Sequence, residues 1–288
     1  MYDLSMTTYR PQLSNEALPL THQIEVIDEK GRKQQIDIPG ERPLTIYIDK
    51  KEVVTLMTLG GAPEALTLGY LRNQRLVSDI TDISSIQVDW ETDSVAVQTR
   101  VLPEAIVQRT EKKTVTSGCG QGTMFGDFMS ELDQLELPED IYLSQEHIEK
   151  VIDHVRTHPS IYKKAGSVHA CAVYKNTPNG PELVYFIEDV GRHNAVDAIS
   201  GLMWLDGLTG KDLIFYTTGR LTSEMVIKGG QMGIPFLLTR SGVTQMGLSL
   251  AQKIKMTIMA RCSGEHFLIY EGVNRIQLRT PAQAISVS

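Results

Sequence analysis

The chain has 288 residues, of which 41% are hydrophobic and 22% charged, a balance that belongs to a globular protein with a full core and excludes a disordered or fibrous one. Its net charge of −7 excludes the broad basic face that non-specific nucleic-acid binding requires, while leaving room for a local basic pocket. The longest apolar runs, such as LIFYTT and IPFLLT, are far too short to cross a bilayer, so no membrane partner is expected.

The first stretch, MYDLSMTTYRPQLSNEALPL, lacks the charged-then-apolar pattern of a secretory signal and is expected to be a flexible arm. Next, HQIEVIDEKGRKQQIDI reads as two alternating strands about a turn at Gly31, and LTIYIDKKEVVTLMTL repeats the pattern about Asp49, Lys50 and Lys51. APEALTLGYLRNQ places Pro63 at a first helical position, with Ala65, Leu66, Leu68 and Leu71 along a short helix. ISSIQVDWETDSVAVQTRV is a further hairpin. The glycine-rich TSGCGQGTMFG and the acidic ELDQLELPED then break the pattern, as a functional loop and linker would.

From Ser144 the period changes to that of a helix, with Ser144 as N-cap and Ile148, Val151, Ile152 and Val155 on one face. SVHACAVYK and ELVYFIEDV follow as strands about an Asn179–Gly180 turn. The order after them is a helix from about Asn194, the strand DLIFYTT, a helix from about Ser223, the strand IPFLLT, a helix from about Thr244 and the strand KMTIMA. Alternation at this spacing predicts an α/β sheet covered on both faces. The expected organisation is an arm (1–20), a small, mostly antiparallel β-rich domain with one helix (21–112), a glycine-rich cysteine loop and linker (113–143), an α/β domain (144–280) and a tail (281–288).

Open α/β sheets bind ligands beyond the carboxyl ends of their strands. LVYFIEDV runs into Gly191, Arg192, His193 and Asn194; LIFYTT runs into Gly219 and Arg220, with Thr222 and Ser223 opening a helix; IPFLLT runs into Arg240, Ser241 and Gly242. Three arginines thus fall at three successive strand-to-helix junctions of an acidic protein. A guanidinium grips phosphate oxygens through a rigid fork of donors, helix N-termini add N–H groups of the same polarity, and glycines let a ligand approach the backbone. The pattern points to a phosphate-bearing ligand. The competing reading is that the arginines pair with Glu188, Asp189, Asp197 and Glu224 and tie loops together.

His169, in GSVHACAV, reads either as a buried strand histidine or as a site residue. Cys171 and Cys262 sit in apolar strands as packing residues. His154 and His158 have the i, i+4 spacing that can hold a metal, but no third ligand lies in sequence reach, which favours a solvated helix face. Cys119 differs from the other cysteines, because its neighbours are glycines and Lys112 and Lys113 just upstream would favour the thiolate. Its alternatives are a reactive thiol and a surface cysteine without a role.

EDVGRHNAVD, TTGRLTSEMVIKGGQMGIPFLLTRSGVT, GSVHACAV and MTLGGAPEALTLGYL together resemble the formate dehydrogenase accessory sulfurtransferase family, FdhD, over about residues 40 to 275. The resemblance implies a cytoplasmic, homodimeric sulfur carrier. Such a carrier takes persulfide sulfur from a cysteine desulfurase and passes it to the molybdenum cofactor, in its guanine dinucleotide form, for formate dehydrogenase or a related molybdoenzyme. It further implies a large domain with a three-layer mixed sheet similar to the cytidine deaminase fold, Cys119 as the sulfur-bearing residue, and GDP or GTP as mimics of the cargo. On this reading Gly191, Arg192, His193, Asn194, Gly219, Arg220, Ser223, Arg240, Ser241 and His169 are the cargo-binding residues.

His169-Ala170-Cys171 stands where a deaminase has His-Ala-Glu, and no Pro-Cys-x-x-Cys follows, so neither deaminase chemistry nor zinc is expected. The family's loop normally carries Cys-x-x-Cys, whereas this chain reads Cys119-Gly120-Gln121-Gly122. A persulfide needs a single sulfur to ride on. The alternative is a non-catalytic cofactor-binding chaperone, or a divergent paralogue, that lost sulfur transfer with the second cysteine.

Overall fold

The computed structural model describes residues 9–15, 18–101 and 135–279. Lys112, Lys113, Cys119, Gly122 and the tail from 281 lie outside the described residues. The fold is mixed α/β. Its described α-helices are α1 (Pro63–Asn73), α2 (Gln145–Thr157), α3 (Ile161–Ala165), α4 (Arg192–Leu205), α5 (Ser223–Gln231) and α6 (Gln245–Lys253). The chain divides into two compact units, one of Met1–Phe125, Ser160–Ala170 and Ile187–Leu208, the other of Gly126–Pro159, Cys171–Phe186 and Thr209–Ser288.

The first unit contains β1 (Gln12–Leu13), β2 (Thr21–Ile27), β3 (Lys33–Pro39), β4 (Arg42–Ile48), β5 (Lys51–Thr58), β6 (Ile83–Asp89) and β7 (Ser94–Thr99). Five of them form a sheet in the order β1-β6-β7-β4-β5, while β2 and β3 pair only with each other. Gly31 turns β2 into β3 at φ +77°, and Asp49 and Lys50 turn β4 into β5 at φ +45° and +72°. Both turns stand where the alternation broke. Residues 9–15, within the expected arm, are tied down: β1 runs parallel to β6, and the Tyr9 hydroxyl donates to Ile83 O.

Helix α1 starts at Pro63, whose missing N–H costs nothing there, and buries Leu66, Leu68 and Leu71 against Leu44, Ile46, Ile48 and Val97 of the sheet. The helix expected with the α/β domain, α4, belongs instead to this unit and packs on α1. Glycines make this crossing possible. A Cβ on Gly69 would lie 1.6 Å from Asp197 O, and one on Gly201 would lie 1.9 Å from Ala65 O, so the two backbones approach closer than any side chain allows. Inside the crossing, Asn73 Nδ2 donates to Asp197 at 2.6 Å and Ser200 Oγ to Asn73 Oδ1 at 3.0 Å.

The second unit holds the short strand β8 (Leu143–Ser144) and is built on a six-stranded sheet, β10-β9-β11-β12-β13-β14, of β9 (His169–Thr177), β10 (Gly180–Asp189), β11 (Leu213–Thr217), β12 (Phe236–Thr239), β13 (Thr257–Ser263) and β14 (His266–Glu271). Residues 169–170 and 187–189 of β9 and β10 count with the first unit. β11, β12 and β13 are parallel neighbours, and β9 and β14 run antiparallel to β11 and β13. Ser144 caps α2 by accepting from His147 N, and Ile148, Val151 and Ile152 pack on Ile214, Tyr216, Phe236 and Leu238. On the opposite face, Gly229 of α5 lies against Leu237, where a Cβ would stand 3.1 Å from its methyl carbons. Helices therefore cover both faces of this sheet, as the alternation predicts.

Candidate functional site

In the first unit, β10 ends at Asp189, which is 5% exposed. One carboxylate oxygen accepts from Gly191 N and Asn194 Nδ2, both at 2.9 Å; the other accepts from Thr58 Oγ1 at 2.5 Å and Leu59 N at 3.1 Å. Burial holds the carboxyl pKa above the ordinary carboxylate value, against the partial pull of the four hydrogen bonds. Asn194 also donates to Met57 O at 2.7 Å. Asp189 and Asn194 together fasten the Gly191–Asn194 junction to the end of β5, so the amide of Asn194, expected to bind ligand, is occupied by the protein itself.

Gly191 is the N-cap of α4 and brings no capping side chain, so no cap of its own takes up the first-turn N–H groups. A Cβ at Gly191 would sit 3.1 Å from Asn194 Nδ2, which explains a glycine there. Arg192 is half-buried, and its Nε is enclosed with no hydrogen-bond partner among the described residues. His169 is half-buried too. Burial, and then the positive charge of Arg192, lower its pKa below the usual 6.5. His169 and Arg192 therefore share one electrostatic environment, which the sequence alone did not join.

In the second unit, β11 and β12 end side by side, Thr217 in register with Thr239. These two buried threonines shape both junctions. Thr217 Oγ1 accepts from Gly219 N at 3.1 Å; Thr239 Oγ1 donates to Gly219 O at 2.6 Å and accepts from Ser241 N at 2.9 Å. Arg240 N donates to Thr217 O, Leu221 N to Gly242 O and Thr244 N to Leu221 O, which knits the two turns into one platform. Arg220 and Arg240 stand exposed on it. Helix α5, opened by Ser223, has no side-chain cap from Thr222, whereas α6 is capped by Thr244 accepting from Gly247 N.

The carboxylates that could have neutralised the three arginines are engaged elsewhere. Glu188 accepts from Ile161 N and Tyr162 N at 2.6 and 3.0 Å, Asp189 holds its own junction, Asp197 accepts from Asn73, and Glu224 pairs with Lys228 at 3.5 Å. Among the described residues, Arg192, Arg220 and Arg240 form no ion pair. Arg275 shows what a structural arginine looks like in this fold: it is 4% exposed and donates to Pro138 O, Pro235 O and Thr257 Oγ1 while lying over the Phe236 ring. Among the described residues, none of the three junction arginines pairs with Glu188, Asp189, Asp197 or Glu224, the partners the loop-tying reading requires.

The remaining candidates are packing residues. His154 Nδ1 meets the Tyr174 hydroxyl at 2.9 Å, His158 lies on Phe186 with ring centres 4.1 Å apart, and His147 Nδ1 meets Asn176 at 2.8 Å. The helix face that carries them is thus partly packed, not simply solvated. Cys171 and Cys262 are 0% and 1% exposed, and burial pushes the Cys262 thiol up to about 12, where it is inert. Sequence reasoning missed Thr217 and Thr239, although each closes a strand just before a junction arginine.

The sulfur carrier protein FdhD of Listeria monocytogenes serotype 4b is 27% identical over 252 residues, covering 86% of this chain and 95% of that protein. The protein of the same name from Sulfurisphaera tokodaii is 30% identical over 243 residues, covering 83% and 91%. A crystal structure assigned as a formate dehydrogenase accessory protein, from Desulfotalea psychrophila, superposes with a TM-score of 0.70 at 25% identity, over 90% of this chain and all of that one. A family model matches residues 39–277, which takes in every junction described above, and the chain belongs to the FdhD/NarQ family.

Proposed function

We propose that this chain is a sulfur carrier for formate dehydrogenase or a related molybdoenzyme. Cys119 thiolate takes the terminal sulfur from the persulfide of a cysteine desulfurase, releasing the desulfurase thiolate, and the resulting persulfide is handed to the molybdenum cofactor as cargo. The names of the relatives support the carrier role. The observation that carries the cargo assignment is the set of junction arginines without carboxylate partners among the described residues, two of which, Arg192 and Arg220, stand beside helix N-termini without side-chain caps. Their chemistry fits the phosphates of a guanine dinucleotide.

In the second unit, Gly219, Arg220, Ser223, Arg240 and Ser241 are assigned to phosphate. In the first, Gly191, Arg192, His193 and His169 form a second set of cargo contacts, to be tested separately, with Asn194 as the residue that positions them. The large sheet unit is read as cytidine deaminase-like, and the working form as a cytoplasmic homodimer. Gly122, where the family has a second cysteine, supports a second reading, a cofactor-binding chaperone without sulfur transfer.

Titration calorimetry with GDP or GTP tests the cargo assignment. The expected result is saturable binding that weakens at least tenfold in Arg220→Ala, the loss of a charge-assisted contact. Absence of binding, or wild-type affinity in the variant, rejects it.

A further inference from the structure

Strand β13 departs from regular geometry at Arg261. Its φ of +59° is left-handed, and it is the one non-glycine residue inside a strand with such a φ among the described residues; the others lie in turns and connections. Left-handed backbone costs an arginine about 1 kcal/mol, and arginine lacks the short polar side chain with which asparagine or aspartate offsets that cost. The register of β13 on β14 shifts between Ala260 and Ser263, which marks a bulge, and bulges re-aim side chains.

The bulge aims Arg261 at the β12–α6 junction. Arg261 N donates to Ser241 O at 2.9 Å. Its guanidinium covers Gly242, where a Cβ would stand 3.6 Å from Nη2 and 3.7 Å from Cζ. The parallel register pairs Leu238 with Met259, so two residues further on Arg240 and Arg261 come out beside each other. Both are exposed, and neither forms an ion pair among the described residues. An anion lying against both of these adjacent positions would offset the repulsion between their positive charges.

We propose that Arg261 is a further phosphate-binding residue of the β12–α6 junction and contacts the same nucleotide phosphate as Arg240. This rests on the assignment of Arg240 and Ser241 to phosphate. The strain at Arg261 is then tied to binding, in the way local strain gathers at ligand sites.

The test is titration calorimetry of GDP and of guanosine on the full chain, comparing wild type with Arg240→Ala, Arg261→Ala, Arg261→Lys and Arg261→Gly. Arg261→Ala is expected to weaken GDP about tenfold or more and to leave guanosine unchanged, with Arg261→Lys intermediate. Arg261→Gly should weaken GDP as much as alanine does while its Tm stays level or rises, since glycine adopts this φ without strain. A merely structural arginine would lower Tm and leave the GDP/guanosine difference untouched. Wild-type GDP affinity in Arg261→Ala, with Arg240→Ala weakened, overturns this inference alone. Equal losses for guanosine and GDP overturn the phosphate contact, and no GDP binding by the wild type removes the junction assignment and this inference together.

Discussion

Asp189 and Arg192 stand three residues apart and show two uses of charge in one turn. Asp189 has all its acceptor capacity met by Thr58, Leu59, Gly191 and Asn194, which makes it a fastener. Arg192 is half-enclosed with Nε unmet among the described residues, which leaves it able to receive an anion. The residue types at GRHN and at the two later junctions were legible from the sequence, because Gly, Arg and Ser after an apolar strand have few structural uses. Which polar residues face inward was not, since that depends on Met57 to Leu59, more than a hundred positions away in the chain. His169 gives the test at this scale. Its folded pKa lies below the unfolded 6.5, so the unfolded chain takes up the proton first, and stability falls as pH drops from 6.5 toward the folded value. Denaturant midpoints across that window should fall in wild type and fall less in His169→Gln; equal slopes contradict it. GDP bound beside Arg192 would offset the second cause of the shift, so the His169 pKa read by NMR should rise when GDP is added.

Among the elements, hairpins were the easiest to read, because alternation and turn residues are local. β2/β3 and β4/β5 turn at Gly31 and at Asp49 and Lys50, as the sequence suggests. The helix from Asn194 begins at Arg192, since Gly191 supplies the N-cap without a side chain. β14 lies outside the sequence expectations: its six residues at the sheet edge follow Gly264 at φ +59°, and HFLIYE buries only every second side chain, in part. The α1–α4 crossing was also illegible, because its signal is a single glycine in each of two distant helices. Gly201→Ala tests that crossing. Its methyl would enter the Ala65 carbonyl, and with backbone on both sides there is no side chain to move aside. The expected loss is about 3 kcal/mol in urea unfolding, the upper end for overpacking. Wild-type stability in Gly201→Ala would show that the helices part easily.

For the molecule as a whole, composition and alternation sufficed for the class, a mixed α/β protein with helices on both faces of its larger sheet. They did not reveal that the first compact unit takes in 160–170 and 187–208, because such returns of the chain are settled by long-range packing. The chain's acidity, −7 in total, makes the exposed arginines of the second unit stand out as a local reversal of sign. On the proposed function those arginines hold the cargo of a sulfur carrier, and Gly122 stands where the family resemblance implies a second cysteine. On the proposed function Cys119 alone bears the transferred sulfur. This is tested most directly by incubating the protein with a cysteine desulfurase and cysteine and weighing the Cys119 peptide without reduction. The prediction is a gain of one sulfur atom on that peptide, reversed by reductant and absent in Cys119→Ala; a Cys119 peptide that stays at its unmodified mass while the desulfurase carries its own persulfide contradicts it.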